Sequence, residues 1–428
     1  MSLSKKIEKY FDRLWPINRS LTGNGNRESL KILSEIIPLN VSEIPCGTEC
    51  FDWTIPSEWN VNEAWVADSS GNKIIDFANN NIHLLGYSVP FRGKVGLAEL
   101  KEHLYSLPEQ PDLIPYLTSY YKQRWGFCIS HNQLTSLKDN EYQVHIDSTL
   151  NPNGSMTIGD YVLRGESEKE IMFSTYICHP SLANNELSGP LLTAFLYDAL
   201  KTKKLKYTYR FVYIPETIGS IFYLHKYGNY LKQNLLAGLV VTTVGDCGVF
   251  TFKKSRQKNA LIDRAALLLL SQTEAKYNVE EFNPADGSDE RQYCSPGFNL
   301  PFGALMRTMY GRYSQYHTSA DNKDIINFDS MVNAVRKYEQ LVEIIESNNV
   351  YENLMPYCEP QLGKRGLYPT LGSQKAMAAE SEAIFWLLNL ADGTRDLIQI
   401  SLESKIDYKL LVSIANRLQN ANLISIKK

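Results

Sequence analysis

Along the first 45 residues the apolar positions recur at helical spacing: Ile7, Tyr10, Phe11 and Leu14 share one face, and Leu30, Ile32, Leu33 and Ile36 form a second periodic run. Two helices are expected there. At Cys46 the pattern changes. As far as about Val95 the chain is rich in Trp, Val, Ile, Asn and Gly, with alternating runs such as EAWVADSSGNKIIDF, whose Ser-Ser-Gly-Asn signals a hairpin. This predicts a small β-rich module, followed by a helix carrying Leu97, Leu100 and Leu104 and by the aromatic stretch IPYLTSYYKQRWGFC.

From about residue 140 strands and helices alternate. EIMFSTYICH reads as a buried strand, GPLLTAFLYDALK as a helix, YTYRFVYIPE and AGLVVTTVGD as strands, and NALIDRAALLLLSQ as a helix. That alternation predicts an α/β fold, a mixed sheet flanked by helices, with sites at the carboxyl ends of its strands. Beyond about residue 375 three short helices and a closing strand are expected, with Asp392-Gly393 as the turn between the first two, the layout of a winged helix. The expected division is a main domain from 1–45 and 135–372, an inserted β-rich domain at 46–134, and a winged-helix domain at 376–428.

Composition narrows the function classes. The 428 residues carry 44 basic and 47 acidic side chains, a formal charge of −3, with no long block of one sign, so nothing marks a nucleic-acid or anionic-membrane footprint. Counted from Ala376, six acidic residues balance six basic ones, so the winged helix lacks the basic face that supplies most DNA affinity; packing, dimerisation or partner docking is the expected role. Seven scattered cysteines without a CxxC pair argue against a disulfide framework and a cysteine zinc site. With no apolar run near the ~18 residues of a membrane span and an amphipathic, charged N-terminus, a soluble cytoplasmic protein is expected. The 26 tyrosines suit a self-association interface as readily as a sugar site.

Four segments carry chemistry. His179 follows the apolar run IMFSTYIC and emerges at a strand's end, ahead of an Asn- and Ser-rich turn; alone, such a histidine ordinarily bonds a neighbouring carbonyl. Glu216, in FVYIPETIGS, stands at another strand end, either as a general base or ligand or as an acid favoured by a helix N-terminus. His317, in YGRYSQYHTSADN, is placed to bind zinc with Asp321 or a carbonyl fixing its tautomer, though a loop histidine among tyrosines is commonplace. Asp286, Asp289, Glu290 and Arg291 share one loop, either solvated or serving as a clamp in which acids hold an amine and Arg291 a carboxylate.

Taken in order, ICHPSLANNELSG, PETIGS, GSDERQYCSPGFNLPFG and YHTSADN resemble the zinc aminopeptidase superfamily that includes glutaminyl cyclases. With DWTIPSEWNV and NNIHLLGYSVP they resemble, more narrowly, a bacterial aminopeptidase-like family with an inserted β-rich domain and a C-terminal winged helix, often encoded near surface-polysaccharide genes. The resemblance implies His179, His317 and the residue at 185 as zinc ligands and Glu216 as acid/base or further ligand. It also shows departures. Asn185 stands where an aspartate holds the metal, Ser181 where an acid orients the first histidine, Thr217 where a second glutamate follows Glu216, and Thr242 at a late aspartate. Glu186, one residue on from Asn185, is a substitute ligand only if the turn shifts. A single zinc in a weakened site is therefore expected, with Asp289 and Arg291 orienting the substrate and Tyr310 and Tyr316 donating to an oxyanion.

Three functions follow as expectations: a zinc-dependent peptidase or amidase acting on a small aminoacyl or amide substrate, a binding protein that has lost its metal chemistry through Asn185, and a ligand-sensing winged-helix regulator.

Overall fold

The computed structural model describes residues 1–367 and 374–427, with 374–378 described by backbone alone. Two compact units divide them: residues 1–258 with 278–337, and residues 259–277 with 338–428.

The first unit is built on a mixed sheet. Its strands are β1 (Asn40–Pro45), β2 (Ser155–Leu163), β3 (Glu170–Tyr176), β4 (Thr208–Ile214), β5 (Leu235–Val240), β6 (Thr251–Lys253), β7 (Asn278–Glu280) and β8 (Phe302–Met306), in the order β1-β2-β4-β3-β5-β8-β6-β7. The central strands β4, β3, β5 and β8 run parallel, flanked by antiparallel β2 and β6. All seven residues of β3 and of β4 are buried, which is why neither shows the in-out alternation of a one-sided strand. Their one charged pair, Glu170 with Arg210, is satisfied in place: two guanidinium nitrogens reach the carboxylate at 2.7 and 2.9 Å, while Arg210 also donates to Tyr223 Oη and Tyr230 Oη donates to Glu170.

Helices α1 (Leu3–Leu14), α2 (Asn24–Leu33), α3 (Ser188–Leu200) and α4 (Ile218–Asn234) accompany this sheet. The expected second helix stops at Leu33, and the chain turns into β1, which pairs with β2. Between β3 and α3 lies a single π-helical turn, Ala183–Leu187, where the Ser188 N–H bonds the carbonyl of Ala183. Helix α3 starts tight against the sheet at Gly189, where a Cβ would sit 2.3 Å from the carbonyl oxygen of Val241.

The β-rich module has a four-stranded sheet of Lys73–Asp76, Glu58–Ala67, Glu141–Asn151 and Phe91–Gly96, in that order. Glu141–Asn151 lies beyond the boundary expected at residue 134. It pairs with both Glu58–Ala67 and Phe91–Gly96, so the module's sheet is not closed until the chain returns to it.

The second unit holds an antiparallel sheet of Asp392–Asp396, Val350–Asn353 and Ile424–Ile426 with helices Leu261–Thr273, Gln374–Leu390, Leu397–Ser404 and Tyr408–Asn420. The Asp392-Gly393 pair expected to turn between two helices instead opens a strand: Gly393 takes φ +80°, the Asp392 carboxylate accepts the Thr394 N–H, and Asp392 to Asp396 pair with Val350–Asn353 before the next helix begins at Leu397. Among the described residues no helix is long and apolar enough to cross a membrane.

Candidate metal and hydrolytic centre

The chain leaves β3 through Ile177 and Cys178 and presents His179; it leaves β4 through Pro215 and presents Glu216; the loop after β8 brings His317. These are the carboxyl ends of parallel neighbours in the sheet, and the side chains converge. His179 Nε2 is 3.8 Å from Glu216 Oε2, and the two imidazole rings lie 5.4 Å apart between centroids.

The π-helical turn sends its consecutive side chains to different partners. Asn185 Nδ2 lies 3.2 Å from His317 Nε2, while Asn185 Oδ1 accepts from Tyr176 Oη. Glu186 turns the other way, to His179 Nδ1 at 2.8 Å, with Arg19 Nε 3.4 Å from its second oxygen. Glu186 is therefore no substitute ligand on the Nε2 side. It does the work expected of an acid at 181, holding Nδ1 so that Nε2 faces the cleft. Ser181 instead donates to the carbonyl of Trp15 and pairs with Asn81. The turn itself is clamped by Asp321, whose carboxylate accepts the N–H groups of Asn184 and Asn185 and the Tyr313 hydroxyl.

The electrostatics separate the two histidines. Burial, then the charge of His179, drives His317 down to about 3, so it is a neutral imidazole. Burial also works against a charged His179, but the Cys178 thiol and the Glu186 carboxylate beside Nδ1 outweigh it and hold it above the usual histidine range. Arg19 is wholly buried; it donates to the carbonyls of His179 and Leu14 and is lowered by burial against the pull of Glu186.

Whether these groups suit a metal turns on the donors. Cys178 Sγ, His179 Nδ1 and a Glu186 oxygen lie within 4.8 Å of one another. That trio already faces the Arg19 guanidinium, and its charge disfavours a second cation. On the cleft side the donors are His179 Nε2, His317 Nε2 and the Asn185 amide. Tyr176 Oη lies 2.5 Å from Thr242 Oγ1 and either atom can donate, so the amide can turn its oxygen toward His317 without losing the Tyr176 bond. The set fits one zinc held by uncharged donors once His179 gives up its Nε2 proton, with Glu216 the nearby carboxylate. It does not fit two ions: the hydroxyls of Tyr176 and Thr242 stand where a further anionic ligand is called for, and Thr217, with φ +65°, heads α4 and gives its N–H to Asp289.

The remaining expected residues spread around this centre. Tyr316 stacks on His317, with centroids 3.9 Å apart. Tyr310 is buried against a Lys253–Glu290 ion pair, accepting from Lys253 at 3.0 Å and donating to Glu290 at 3.0 Å. Arg291 Nε bonds the carbonyl of Ser288. Asp289 lies beneath Glu216, with Oδ1 accepting from Thr217 N–H and Ser220 Oγ, while Ser288 Oγ donates to Glu216 at 2.5 Å. Two residues not singled out in the sequence complete the cleft. Tyr176 is one; the other is Tyr116, whose ring lies 5.2 Å from that of His179 and 5.1 Å from that of His317, and whose N–H bonds the carbonyl of His317.

Burial, then the charge of Glu216, pushes Asp289 up to about 8, against ~3.9 for an unfolded aspartate. Because the folded value is the higher one, the stability this carboxyl contributes is whole below pH ~4 and is lost as pH rises through its folded value. Asp289→Asn keeps the Oδ1 acceptor and removes the ionisation. Between pH 5 and pH 9 the variant should lose less urea resistance than the native chain, by about 4 kcal/mol; parallel curves for the two proteins would rule this out.

Comparison with known proteins agrees with this architecture. The profile described as "Domain of unknown function (DUF4910)" matches residues 8–348, and a winged helix-turn-helix profile matches 349–426. A Clostridium acetobutylicum protein named for polysaccharide biosynthesis and an aminopeptidase-like domain is 44% identical over 421 residues, covering 98% of this chain and 96% of its own. A crystal structure from the same organism, solved as that of a peptidase, superposes with a TM-score of 0.92 at 43% identity over 99% of this chain and 96% of that one. A zinc aminopeptidase from Bacillus subtilis shares the fold, with a TM-score of 0.57 at 12% identity over 81% of this chain and 96% of that one. Matched over most of its length, with an aminopeptidase-like mixed sheet, a β-rich insert and a C-terminal winged helix, this chain belongs to the DUF4910 family.

Proposed function

We propose that the chain is a hydrolase of amide bonds in a small substrate, with Glu216 carrying the proton and one zinc ion held by His179, Asn185 and His317. The supporting observation is the convergence at the strand ends: His179 Nε2 faces Glu216 with Nδ1 tied to Glu186. When bound, the ion supplies Lewis-acid polarisation of a carbonyl. The rest belongs to the chain. Glu216, oriented by Ser288, takes a proton from the attacking water and returns it to the departing nitrogen. The rings of Tyr116 and Tyr316 flank the histidines and shield that side of the cleft from bulk water. The relative's name ties it to polysaccharide biosynthesis, and we extend that setting to this chain.

A second reading, a binding protein that keeps the fold without turnover, is favoured by the neutral Asn185, Tyr176 and Thr242 relay. Zinc content after purification without added metal separates the two. Zinc near one equivalent, lost in His179→Ala, with release of amine from aminoacyl amides, is the expected result; an empty native site would favour the binding protein.

Asn185→Asp adds the missing negative charge to the ligand set. Its zinc affinity, read by competition with a fluorescent chelator, should rise by at least about tenfold. Unchanged affinity would remove residue 185 from the ligands.

A further inference from the structure

Beside the cleft, two stretches of the β-rich module hold aromatic rings out to solvent. Phe51 is 60% exposed, Trp53 40%, Tyr120 41% and Tyr121 49%. They form one neighbourhood: the rings of Trp53 and Tyr121 meet at 6.1 Å, the Tyr121 hydroxyl donates to the carbonyl of Thr54 at 2.8 Å, and Phe51 packs its edge on His225 of α4, the helix that begins just after Glu216. Tyr116, which touches both histidines, leads directly into Tyr120 and Tyr121. The platform and the candidate centre thus share one segment of chain.

Its backbone is held in an unfavourable form. Phe51 has φ +52° and Tyr120 φ +44°, a region that bulky residues rarely enter. Phe51 is a central residue of the two-residue turn between Glu49–Cys50 and Trp53–Thr54, and a positive φ there ordinarily calls for glycine or asparagine. Strain of this kind, at ~1–3 kcal/mol a residue, persists where a surrounding structure or a function fixes it. At Phe51 it displays a ring that water would otherwise drive inward.

We propose that Phe51, Trp53, Tyr120 and Tyr121 form a subsite that stacks on the pyranose ring of an N-acylated amino sugar and presents its amide to Glu216. The chemistry selects this occupant over an apolar peptide. The exposed groups are aromatic rings rather than an aliphatic patch, the Tyr121 ring is fixed in advance by its bond to Thr54 and its edge contact with Trp53, and exposed Asp52 between Phe51 and Trp53 offers an acceptor for ring hydroxyls. A sugar whose apolar C–H face and polar rim match such a surface, and which carries an amide, satisfies platform and centre together. The assignment rests on reading the His179–Glu216 cleft as amide-cleaving.

Titration calorimetry of the full chain with N,N′-diacetylchitobiose, cellobiose and an acetyl-dipeptide amide tests it. Diacetylchitobiose should bind, at least tenfold more weakly in Trp53→Ala and Tyr121→Ala, whose unchanged melting temperatures would show intact folds, and with binding restored in Trp53→Phe. Binding that persists in Glu216→Gln while the native chain turns nothing over would sustain the subsite and sink the hydrolase reading. No sugar binding, undiminished binding in Trp53→Ala, or binding of the peptide amide alone would overturn the subsite; cellobiose bound as tightly as diacetylchitobiose would overturn the N-acyl assignment.

Discussion

Glu216→Gln should lower kcat on a cleaved amide about 10²–10⁴-fold, the range lost when a positioned proton carrier is removed, with KM changed far less. The argument is geometric. Glutamine keeps the shape and still accepts from Ser288 Oγ at the place where Glu216 does, but it cannot take a proton from water. Nearby hydroxyls are poor replacements, because Tyr176 is raised by burial and by the charge of Glu216 and does not ionise in the working range. Single-turnover rates with matched substrate concentrations check the split between kcat and KM. A fall in kcat of less than about tenfold would move proton transfer to another group.

Arg19→Ala should destabilise the first unit by about 3–5 kcal/mol, the usual consequence of stripping one partner from a buried ion pair. Arg19 and Glu186 are both fully buried in their side chains. Without the guanidinium, Glu186 keeps His179 as its counter-charge but loses the second, and the carbonyls of His179 and Leu14 lose their donors. The urea midpoint reads the loss. A measurable drop in zinc affinity should accompany it even in molecules that remain folded, because Glu186 is what fixes the His179 tautomer. An Arg19→Ala chain as stable as the native one would mean that Glu186 takes up a proton and relaxes at little cost.

How much of this was legible beforehand depends on what the chain itself displays. His179 and Glu216 are readable because each follows a mostly apolar run, and a residue just past a buried parallel strand has to emerge at the sheet's carboxyl edge. The π-helical turn was not readable, and with it went the role of Glu186: an added residue in a turn rotates every side chain after it, and composition carries no trace of that rotation. Arg19 gave no signal either, since His179, whose carbonyl it holds, lies 160 residues further on. In sequence the loop after Ala285 is a cluster of charges without directions. Asp289 and Glu290 point inward and Arg291 back to its own loop, which depends on Lys253 and Ser220 arriving from other elements. Asp392-Gly393 departs for the opposite reason: a true turn signal is present, but Asp392 itself pairs with Glu352 in a sheet.

The contact between the β-rich module and the His317 loop carries a consequence for how the protein is made. Residues 114–116 bond to 317–319 through Tyr116 N–H to His317, Ser319 N–H to Ile114 and a bridge of Pro115 with Thr318. The Ile114 N–H, bonded to Ser319 Oγ, waits for a residue 205 positions later. At ribosomal speeds of about 5–20 residues per second that is a delay of about 10–40 s. Throughout it, the nascent aromatic segment from Tyr116 to Tyr121 has its own module to fold with but no His317 loop to rest on. The cleft is therefore finished late in synthesis, and a chain stalled before residue 317 would leave uncovered the Tyr116 ring that the complete protein holds against its histidines.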